Sequence, residues 1–486
     1  MRSGRSDLAS RTHGHEWLGE RAWVRLATRT EAALRSVRAG RGEATRIVSV
    51  TDELSEPVDP TAVVVASRRA GEAWSCLEQP DRDGHALAAL GCVRELSGSG
   101  RRRFAELDVH WRALATAALA DPPAGPAGTG LVAVGGFAFA PDGGGSPSWS
   151  GYPPASMIVP EVSLARRGGR TWVTVNQALS PDDTEADVLD RVKARLAELR
   201  LAPLPLLDPA PLGTYRVHSP MPPSHYEEAV ARAVQRIRAG ELEKIVLARE
   251  VQVQAPVDHD PGAVLAVLRE GFPSCFIYAI GRGASTFIGA SPELLVRRDG
   301  QRASTVALAG SIRRSADPAV DDHLGERLLR SDKDRHENAI VARRIARALG
   351  PYSVWVAVAP EPVVIKIANI QHLAAPIRAQ LARPAGAIEL AGVLHPTPAV
   401  GGEPAALAER TIPALEGLDR GWYAGTIGWS DLTGDGEFVV ALRCALLRGP
   451  VASCYAGAGI VGDSDPAAEL AETEVKLEAL LPVLSG

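Results

Sequence analysis

The order of apolar and polar positions predicts short strands and one amphipathic helix in the first half of the chain. Apolar runs at 62–66, 131–138 and 171–175 have the length of short strands. Residues 185–199 carry apolar side chains at the spacing of one helical stripe, namely Val188, Leu189, Val192, Leu196 and Leu199. The first half of the chain is therefore predicted to contain both short strands and an amphipathic helix.

Longer elements are predicted after residue 225. An amphipathic helix at 227–239 is closed by Gly240, and a strand begins at 245–247. Further strands are predicted at 275–280, 287–288 and 294–297. Strands and helices alternate without a regular βαβ order, which favours an α+β fold or a complex α/β sandwich over a doubly wound parallel sheet.

The last third predicts two helices and a strand with clear end signals. A helical pattern runs over 323–349 and ends at Gly350. A strand over 437–447 follows the turn sequence 434–436, Gly-Asp-Gly. Asp465-Pro466 places a capping carboxylate and a first-turn proline at the start of the last predicted helix.

Irregular stretches divide the chain into parts. We expect 1–15 to be a disordered tail, 16–215 to be an N-terminal part that completes the fold, and 220–486 to be the catalytic domain. The Gly/Pro-rich stretches 121–130 and 141–154 are predicted surface loops, and the Pro-rich stretch 201–222 is a predicted connector.

Composition narrows the class of protein. The 486 residues carry a formal net charge of -5 and no basic stripe with interleaved aromatics, which argues against nucleic-acid binding. Five cysteines without a C-x-x-C pair argue against a disulfide framework or a zinc site. The polar N-terminus and the absence of a long apolar run predict neither a signal peptide nor a membrane span. We expect a cytoplasmic protein.

Three charged residues stand inside apolar strand-like context. They are Lys244, Glu293 and Arg443. Any one of them alone is better explained by a structural ion pair or a side chain that reaches solvent. Together they favour a site, in which a lysine held away from water can act as general base and a buried glutamate as general acid. A guanidinium on a central strand would bind a ligand carboxylate.

Four carboxylates are spaced three apart on two predicted helices. Asp334 and Glu337 form one pair, and Glu469 and Glu472 form the other. Two facing pairs would suit Mg²⁺, but spacing alone favours ordinary solvated helix faces. The segment 457–459, Gly-Ala-Gly, predicts a turn whose N–H groups can face an anion, and His372 alone is best explained as a core histidine.

Taken together, these motifs resemble the chorismate-utilising enzymes, a family that includes isochorismate, salicylate, anthranilate and aminodeoxychorismate synthases. The matching stretches keep the family's order over about 250 residues, whereas residues before 215 match loosely. They are 243–249 (EKIVLAR), 287–293 (FIGASPE), 307–311 (ALAGS), 331–337 (SDKDRHE), 369–373 (NIQHL), 394–402 (LHPTPAVGG), 419–425 (DRGWYAG), 434–438 (GDGEF), 456–461 (AGAGIV) and 469–476 (ELAETEVK).

The resemblance implies a fold and a role for each matching residue. The fold would be a large two-layered antiparallel β-sheet sandwich with helices outside. Lys244 would activate water, and Glu293 would protonate the departing hydroxyl. Glu337 and Glu472 would bind Mg²⁺, with Asp334 and Glu469 supporting them through water. The groups that would bind or line the substrate are Ser311, His372, Tyr423, Arg443, Gly457, Ala458, Gly459 and Lys476.

Within the family, the residues favour isochorismate synthase. Lys244 is present, whereas the ammonia-using members lack that lysine, so no glutaminase partner and a monomer are expected. Ala309 stands where aminodeoxychorismate synthases carry a lysine, and 395–402 has the form typical of isochorismate synthases. The expected enzyme is an isomerase that moves a hydroxyl within chorismate.

Three alternatives stay open at this point. The nearest is a salicylate synthase, which would also eliminate pyruvate. Another is a catalytically silent chorismate sensor, which is disfavoured because the acid, the base and the carboxylates are all present. The last is a structural scaffold, which would not explain an arginine inside a strand-like run. Menaquinone and siderophore synthesis are both compatible pathways for the product.

Overall fold

The computed structural model describes residues 16–40, 46–208, 213–367 and 369–486. The tail predicted at 1–15 lies outside the described residues. Within these ranges the chain forms twelve α-helices and twenty-two strands, and no helix there is both long and apolar enough to cross a bilayer.

The strands of the described residues run as follows in chain order. They are β1 (Arg46–Glu53), β2 (Gly71–Gln79), β3 (His85–Leu90), β4 (Arg94–Gly98), β5 (Val132–Phe137), β6 (Ala155–Val159), β7 (Val162–Arg167), β8 (Arg170–Leu179), β9 (Arg216–His218), β10 (Lys244–Gln254), β11 (Phe276–Gly283), β12 (Ser285–Ser291), β13 (Leu294–Asp299), β14 (Arg302–Arg313), β15 (Ser353–Val358), β16 (Val363–Ile367), β17 (Ile370–Leu381), β18 (Gly402–Glu403), β19 (Thr426–Asp431), β20 (Gly436–Val440), β21 (Cys444–Arg448) and β22 (Val451–Ile460).

The helices of the same ranges lie between these strands. They are α1 (Glu20–Arg38), α2 (Pro60–Ser67), α3 (Arg103–Ala117), α4 (Glu185–Ala197), α5 (Pro223–Arg238), α6 (Pro261–Gly271), α7 (Pro318–Arg330), α8 (Asp332–Leu349), α9 (Ala387–Leu394), α10 (Ala405–Glu416), α11 (Pro466–Leu477) and α12 (Leu481–Ser485). Short 3₁₀ turns occur at Pro147–Trp149 and Gly350–Tyr352.

The described strands form two large sheets, and both halves of the chain contribute to each. The first sheet has the order β1-β8-β7-β3-β2-β11-β12-β21-β22-β10-β18, with β9 beside β10. The second has the order β15-β17-β14-β13-β20-β19-β5-β6-β4, with β16 beside β17. Neighbouring named strands in these ranges pair antiparallel, as in β10 with β22 and β14 with β17.

The two sheets pack face to face, with helices outside them. One hydrophobic cluster joins Phe287 of the first sheet to Phe137 and Phe438 of the second. A second cluster joins the outer face of the first sheet to residues of α1, α4 and α6, including Leu26 and Val188. The expected two-layered antiparallel sandwich with helices outside is confirmed.

Several predicted elements are also confirmed. The predicted strands at 131–138 and 171–175 correspond to β5 and to part of β8. The predicted helix at 185–199 is α4, and the helix at 227–239 is α5, followed by Gly240 at a φ of 77°. Asp465 accepts a hydrogen bond from the Ala468 N–H and begins α11. The short α12 follows, so α11 is not the last helix.

One strand prediction and one helix prediction were wrong in ways that capping explains. The apolar run 62–66 is part of α2 and not a strand, because Asp59 accepts hydrogen bonds from the N–H groups of Thr61 and Ala62 and Pro60 begins the helix. The single helix predicted over 323–349 is two helices, because Ser331 leaves the helical conformation and its hydroxyl caps α8 at Asp334. Gly350 keeps a right-handed helical conformation and starts a 3₁₀ turn.

Two other predictions were wrong, and a third was confirmed with one qualification. The run 437–447 is not one strand, because β20 lies in the second sheet and β21 in the first. The segment 457–459 is not a turn, because it continues β22. The stretch 141–154 lacks regular structure apart from one 3₁₀ turn and is mostly exposed or half-buried, as predicted for a surface loop, although its Trp149 and Tyr152 are buried in the core.

Candidate active site

A cavity that is partly open to solvent lies where the chain passes from one sheet to the other; its empty space, counted together with its open mouth, is about 770 Å³. Its wall is formed by β10 and β22 of the first sheet, by β14 of the second, and by α8 and α11. The predicted residues that line it are Glu293, Ser311, Glu337, His372, Tyr423, Arg443, Gly457, Gly459, Glu472 and Lys476. Among the described residues, Lys244, Ala458, Asp334 and Glu469 were also predicted but do not line this cavity.

Lys244 begins β10 directly behind the cavity wall. Its side chain is fully buried, and its Nζ lies 2.7 Å from Glu337 Oε1. A Cβ at Gly459 would lie 2.3 Å from that oxygen and 2.9 Å from Lys244 Cε. Position 459 therefore has to be glycine for the lysine and the glutamate to meet at the cavity.

Glu293 is a buried carboxyl between β12 and β13. Its backbone is held on both sides, since its N–H donates to Ser291 Oγ at 3.2 Å and its carbonyl accepts from the Val440 N–H at 3.0 Å. Burial raises its pKa to about 8, against the opposing charges of Lys244 and Lys476 and a hydrogen bond with Thr397. At neutral pH the group is therefore mostly protonated, as a general acid must be.

Arg443 lies between β20 and β21, where the chain crosses between the sheets, and not in mid-strand as predicted. Its φ of 47° is unusual for a residue with a side chain, and it bends the chain at the cavity. Its Nη2 lies 2.9 Å from His372 Nε2. Burial, followed by the charges of Arg443 and Lys476, lowers the pKa of His372 well below its ordinary value. The neutral imidazole therefore accepts this hydrogen bond.

The same guanidinium keeps one nitrogen for a ligand. Arg443 Nη1 is buried and has no hydrogen-bond partner among the described residues. A buried donor without a partner is costly, and a carboxylate in the cavity would satisfy it. The arginine therefore fits the predicted role, although its place in the fold differs from the prediction.

The glycines of β22 allow a close approach to the cavity. Cys444, the first residue of β21, pairs with Tyr455, so among the described strands β22 continues beyond Tyr455 beside β10 alone. The edge of β22 that β21 no longer covers, the freed edge, faces the cavity. There the Gly457 carbonyl accepts a hydrogen bond from Lys476 Nζ at 2.8 Å. Strand alternation turns Ala458 away, which explains why it does not line the cavity.

Tyr423 closes the same wall from the other side. Its hydroxyl lies 3.0 Å from where a Cβ at Gly457 would be, so a side chain at position 457 would crowd it. The ring of Tyr423 stacks on that of Tyr455, with centroids 5.3 Å apart. Tyr455 lines the cavity too, but it was not predicted because an aromatic inside an apolar strand has no distinguishing pattern.

The four predicted carboxylates approach the cavity from α8 and α11. Glu472 lines the cavity. It accepts a hydrogen bond from Ser311 Oγ at 3.0 Å and forms an ion pair with Lys476 Nζ at 2.8 Å. Behind it, Glu469 lies 3.1 Å from Lys333 Nζ. Burial, followed by the charge of Glu472, raises the pKa of Glu469.

These carboxylates form a donor set that suits a hard cation. Burial and the charges of Glu337 and Glu472 also raise the pKa of Asp334, which shows that the carboxylates of α8 and α11 lie close enough to repel one another. Within the described ranges, no three Asp, Glu, His or Cys residues converge closely enough to hold a metal as they stand. The oxygen-rich composition fits Mg²⁺, provided that Glu337 and Glu472 turn from their lysine partners.

Asn338, next to Glu337, is a positioning residue that sequence patterns did not reveal. Its side-chain amide donates to the carbonyls of Ala307 at 3.0 Å, Ala309 at 3.3 Å and Leu373 at 3.1 Å. These contacts lie at the irregularity in β14 between Leu308 and Ser311, which turns that strand into the cavity. The amide therefore joins β14 to β17 where both line the site.

Asn338→Ala is expected to lower both stability and turnover. Buried carbonyls that lose their donor cost about 1–3 kcal/mol in the free energy of unfolding. The matched control is Asn176→Ala, because the Asn176 amide is equally buried and donates to the Pro160 carbonyl far from the cavity. Thermal unfolding and kcat/KM of both variants check this. Equal loss of turnover in the two variants would contradict a role at the site.

Comparisons with known proteins show which family the chain belongs to. The family model described as "Chorismate binding enzyme" matches residues 32–485. The salicylate biosynthesis isochorismate synthase of Pseudomonas aeruginosa is 37% identical over 89% of each chain. Isochorismate synthase MenF of Bacillus subtilis is 34% identical over 74% of this chain and 75% of its own length.

A solved structure shows the same fold. The menaquinone-specific isochorismate synthase MenF from Escherichia coli superposes with a TM-score of 0.76 at 27% identity, over 95% of this chain and all of that one. The match includes the N-terminal strands that the sequence motifs covered loosely. The chain therefore belongs to the family of chorismate binding enzymes.

Proposed function

We propose that the chain is an isochorismate synthase, an isomerase that converts chorismate to isochorismate. The observation that carries this proposal is a buried carboxyl that is protonated near neutral pH, Glu293, in the same cavity as the ion pair of Lys244 with Glu337. The Pseudomonas aeruginosa and Bacillus subtilis relatives are both named as isochorismate synthases, which supports this choice within the family.

The proposed reaction exchanges one hydroxyl position on the ring for another. Water attacks C2 and gives a proton to the Lys244 amine, which acts as a base only in its neutral form, after it has left the ion pair with Glu337. Both ring double bonds shift, the C4–oxygen bond breaks, and Glu293 gives its proton to the departing hydroxyl, which leaves as water. Protons and oxygens balance. The acid lines the cavity and the base lies behind its wall beside Glu337, so the two groups can act on different parts of the ring.

Chorismate carries two carboxylates, and the cavity has a group for each. Arg443 Nη1, Tyr423 and the freed edge of β22 at Gly457 and Gly459 would bind the enolpyruvyl carboxylate. His372 would keep the guanidinium in place by accepting from Nη2. Ser311 and Lys476 would line the same pocket beside Glu472.

Glu337 and Glu472 are the residues that would hold Mg²⁺, with Asp334 and Glu469 supporting them through water. The ion would orient the ring carboxylate and offset its charge. Lys244 and Lys476, which contact these two glutamates, would then be released toward the substrate. Metal binding and the availability of the base are therefore linked in this proposal.

The remaining proposals concern setting and partners. Because water is the proposed nucleophile, the enzyme would need no glutaminase partner and would act as a monomer. It would work in the cytoplasm, with no nucleic-acid or membrane partner. Isochorismate would feed menaquinone or siderophore synthesis. The Escherichia coli relative is named as menaquinone-specific, and the Pseudomonas aeruginosa relative is named for salicylate biosynthesis.

Removal of Mg²⁺ tests the proposal. Purified protein with chorismate and Mg²⁺ should give a mixture of chorismate and isochorismate, separable by chromatography. EDTA should abolish turnover, and excess Mg²⁺ should restore it. Salicylate with pyruvate as the products would replace the proposal with a salicylate synthase. Chorismate binding without turnover would replace it with a sensor.

A further inference from the structure

Arg420 lies behind the cavity wall and contacts three parts of it at once. It is 3% exposed and does not itself line the cavity. Its Nη2 donates to the Val246 carbonyl at 2.9 Å, and its Nη1 donates to the Val400 carbonyl at 2.8 Å. Its guanidinium carbon lies 5.8 Å from the centroid of the Tyr423 ring.

Each of these contacts reaches a residue that does line the cavity. Val246 stands two residues after Lys244 in β10, and Val400 lies in the loop before β18 that also carries Thr397. Tyr423 is the proposed carboxylate-binding tyrosine. One side chain therefore fixes the distance between the strand of the base, the loop near the acid, and a substrate-binding group.

A buried carboxylate holds the guanidinium in turn. Glu416, the last residue of α10, accepts from Arg420 Nε at 3.0 Å and from the Ala248 N–H at 2.7 Å, and a second contact joins its Oε1 to Nη2. The other face of Arg420 packs on the Phe139 ring, 4.3 Å from its centroid. The planar fork of arginine satisfies these acceptors together, which a lysine ammonium cannot do.

We infer that Arg420 is a positioning residue for the proposed reaction, acting with Glu416 to hold β10, the 396–402 loop and Tyr423 at the spacing that chorismate requires. The inference rests on the proposed function for its kinetic effect. The structural effect, in which Arg420 joins β10 to the 396–402 loop, does not depend on which substrate the enzyme converts.

The test compares Arg420→Lys with Arg195→Lys. Arg195 is a matched control, because it is equally buried and paired with Glu72, Glu161 and Glu198, far from the cavity. Arg420→Lys is expected to lower kcat/KM for chorismate by up to about 10²-fold, as a displacement near 1 Å in a site can do. KM should rise more than kcat falls, since Tyr423 binds the ground state. Arg195→Lys should leave both constants near wild type.

Amide hydrogen exchange separates the inference from the proposed function. Peptides covering 244–248 and 396–402 should exchange faster in Arg420→Lys than in wild type and should be unchanged in Arg195→Lys. A wild type that does not turn over chorismate would remove the proposed function but leave this readout intact.

A second variant covers the case in which the first fails to fold. Glu416→Gln keeps the shape and the Ala248 contact but removes the charge, so it should show the same changes more weakly. Unchanged exchange at both peptides, equal kinetic effects in Arg420→Lys and Arg195→Lys, or failure of both Arg420→Lys and Glu416→Gln to fold would each overturn the inference.

Discussion

Lys244→Gln is expected to lower kcat for chorismate by about 10²–10⁴-fold, the contribution of a positioned general base. The amide cannot accept a proton from water at neutral pH, whereas its polarity keeps a hydrogen bond to Glu337 available at the position of the present ion pair. The variant should therefore fold and bind chorismate. Steady-state kinetics and chorismate binding by the inactive variant measure the two effects separately.

Lys366→Gln is the control for this substitution. Lys366 forms ion pairs with Asp321 and Asp322 and lies outside the cavity, so its loss should leave kcat within about twofold of wild type, the range of an ordinary surface change. If Lys244→Gln kept a kcat equally close to wild type, the water-activating role of the lysine would be refuted.

Glu293→Gln is expected to have an effect of similar size for the opposite reason. The glutamine has the same shape but no proton to give to the departing hydroxyl, so kcat should fall by about 10²–10⁴-fold. In wild type, kcat/KM should fall as pH rises above about 8, because burial raises the pKa of Glu293 to about 8 and the acid is lost above it. The residual activity of Glu293→Gln should lack this fall. A wild-type profile that stays flat between pH 7 and 10 would exclude Glu293 as the acid.

The same carboxyl should make stability depend on pH. Its pKa in the folded protein, about 8, lies above the ordinary 4.5, so the folded state binds the proton more tightly than the unfolded state. The stabilising contribution of this proton is complete below pH 4.5 and is lost as pH rises through 8. Each unit by which the two pKa values differ corresponds to about 1.4 kcal/mol in the free energy of unfolding. Glu293→Gln should therefore unfold at a higher temperature than wild type at pH 8.5, and the difference should shrink at pH 6.

The chemistry of the site was predictable where charges interrupt apolar runs. Lys244 and Glu293 stand among strand residues with no partner nearby in sequence. The structure places Glu293 at one cavity with Arg443, and Lys244 behind the wall of that cavity in contact with Glu337. The i, i+3 pairs on α8 and α11 also face the same region. Their spacing alone could not distinguish a site from a solvated face, because the partner helix is over 130 residues away.

What the sequence could not predict depends on contacts between distant elements. Arg443 interrupts a continuous apolar run, and nothing local shows that the chain bends there at a φ of 47° to change sheets. Arg420 looks like any charged residue near a turn until Glu416 and the carbonyls of Val246 and Val400 surround it. By contrast, Asp59-Pro60 and Ser331 carry local capping signals that the apolar pattern outweighed in the prediction.

The central claim is that water in this cavity replaces the C4 hydroxyl of chorismate by addition at C2. Incubation of the protein with chorismate and Mg²⁺ in ¹⁸O-labelled water, followed by mass spectrometry of the early product, tests it most directly. The account predicts isochorismate that carries one ¹⁸O atom at C2. Unlabelled isochorismate would mean that the hydroxyl migrates without release, and it would contradict the roles assigned to Lys244 and Glu293.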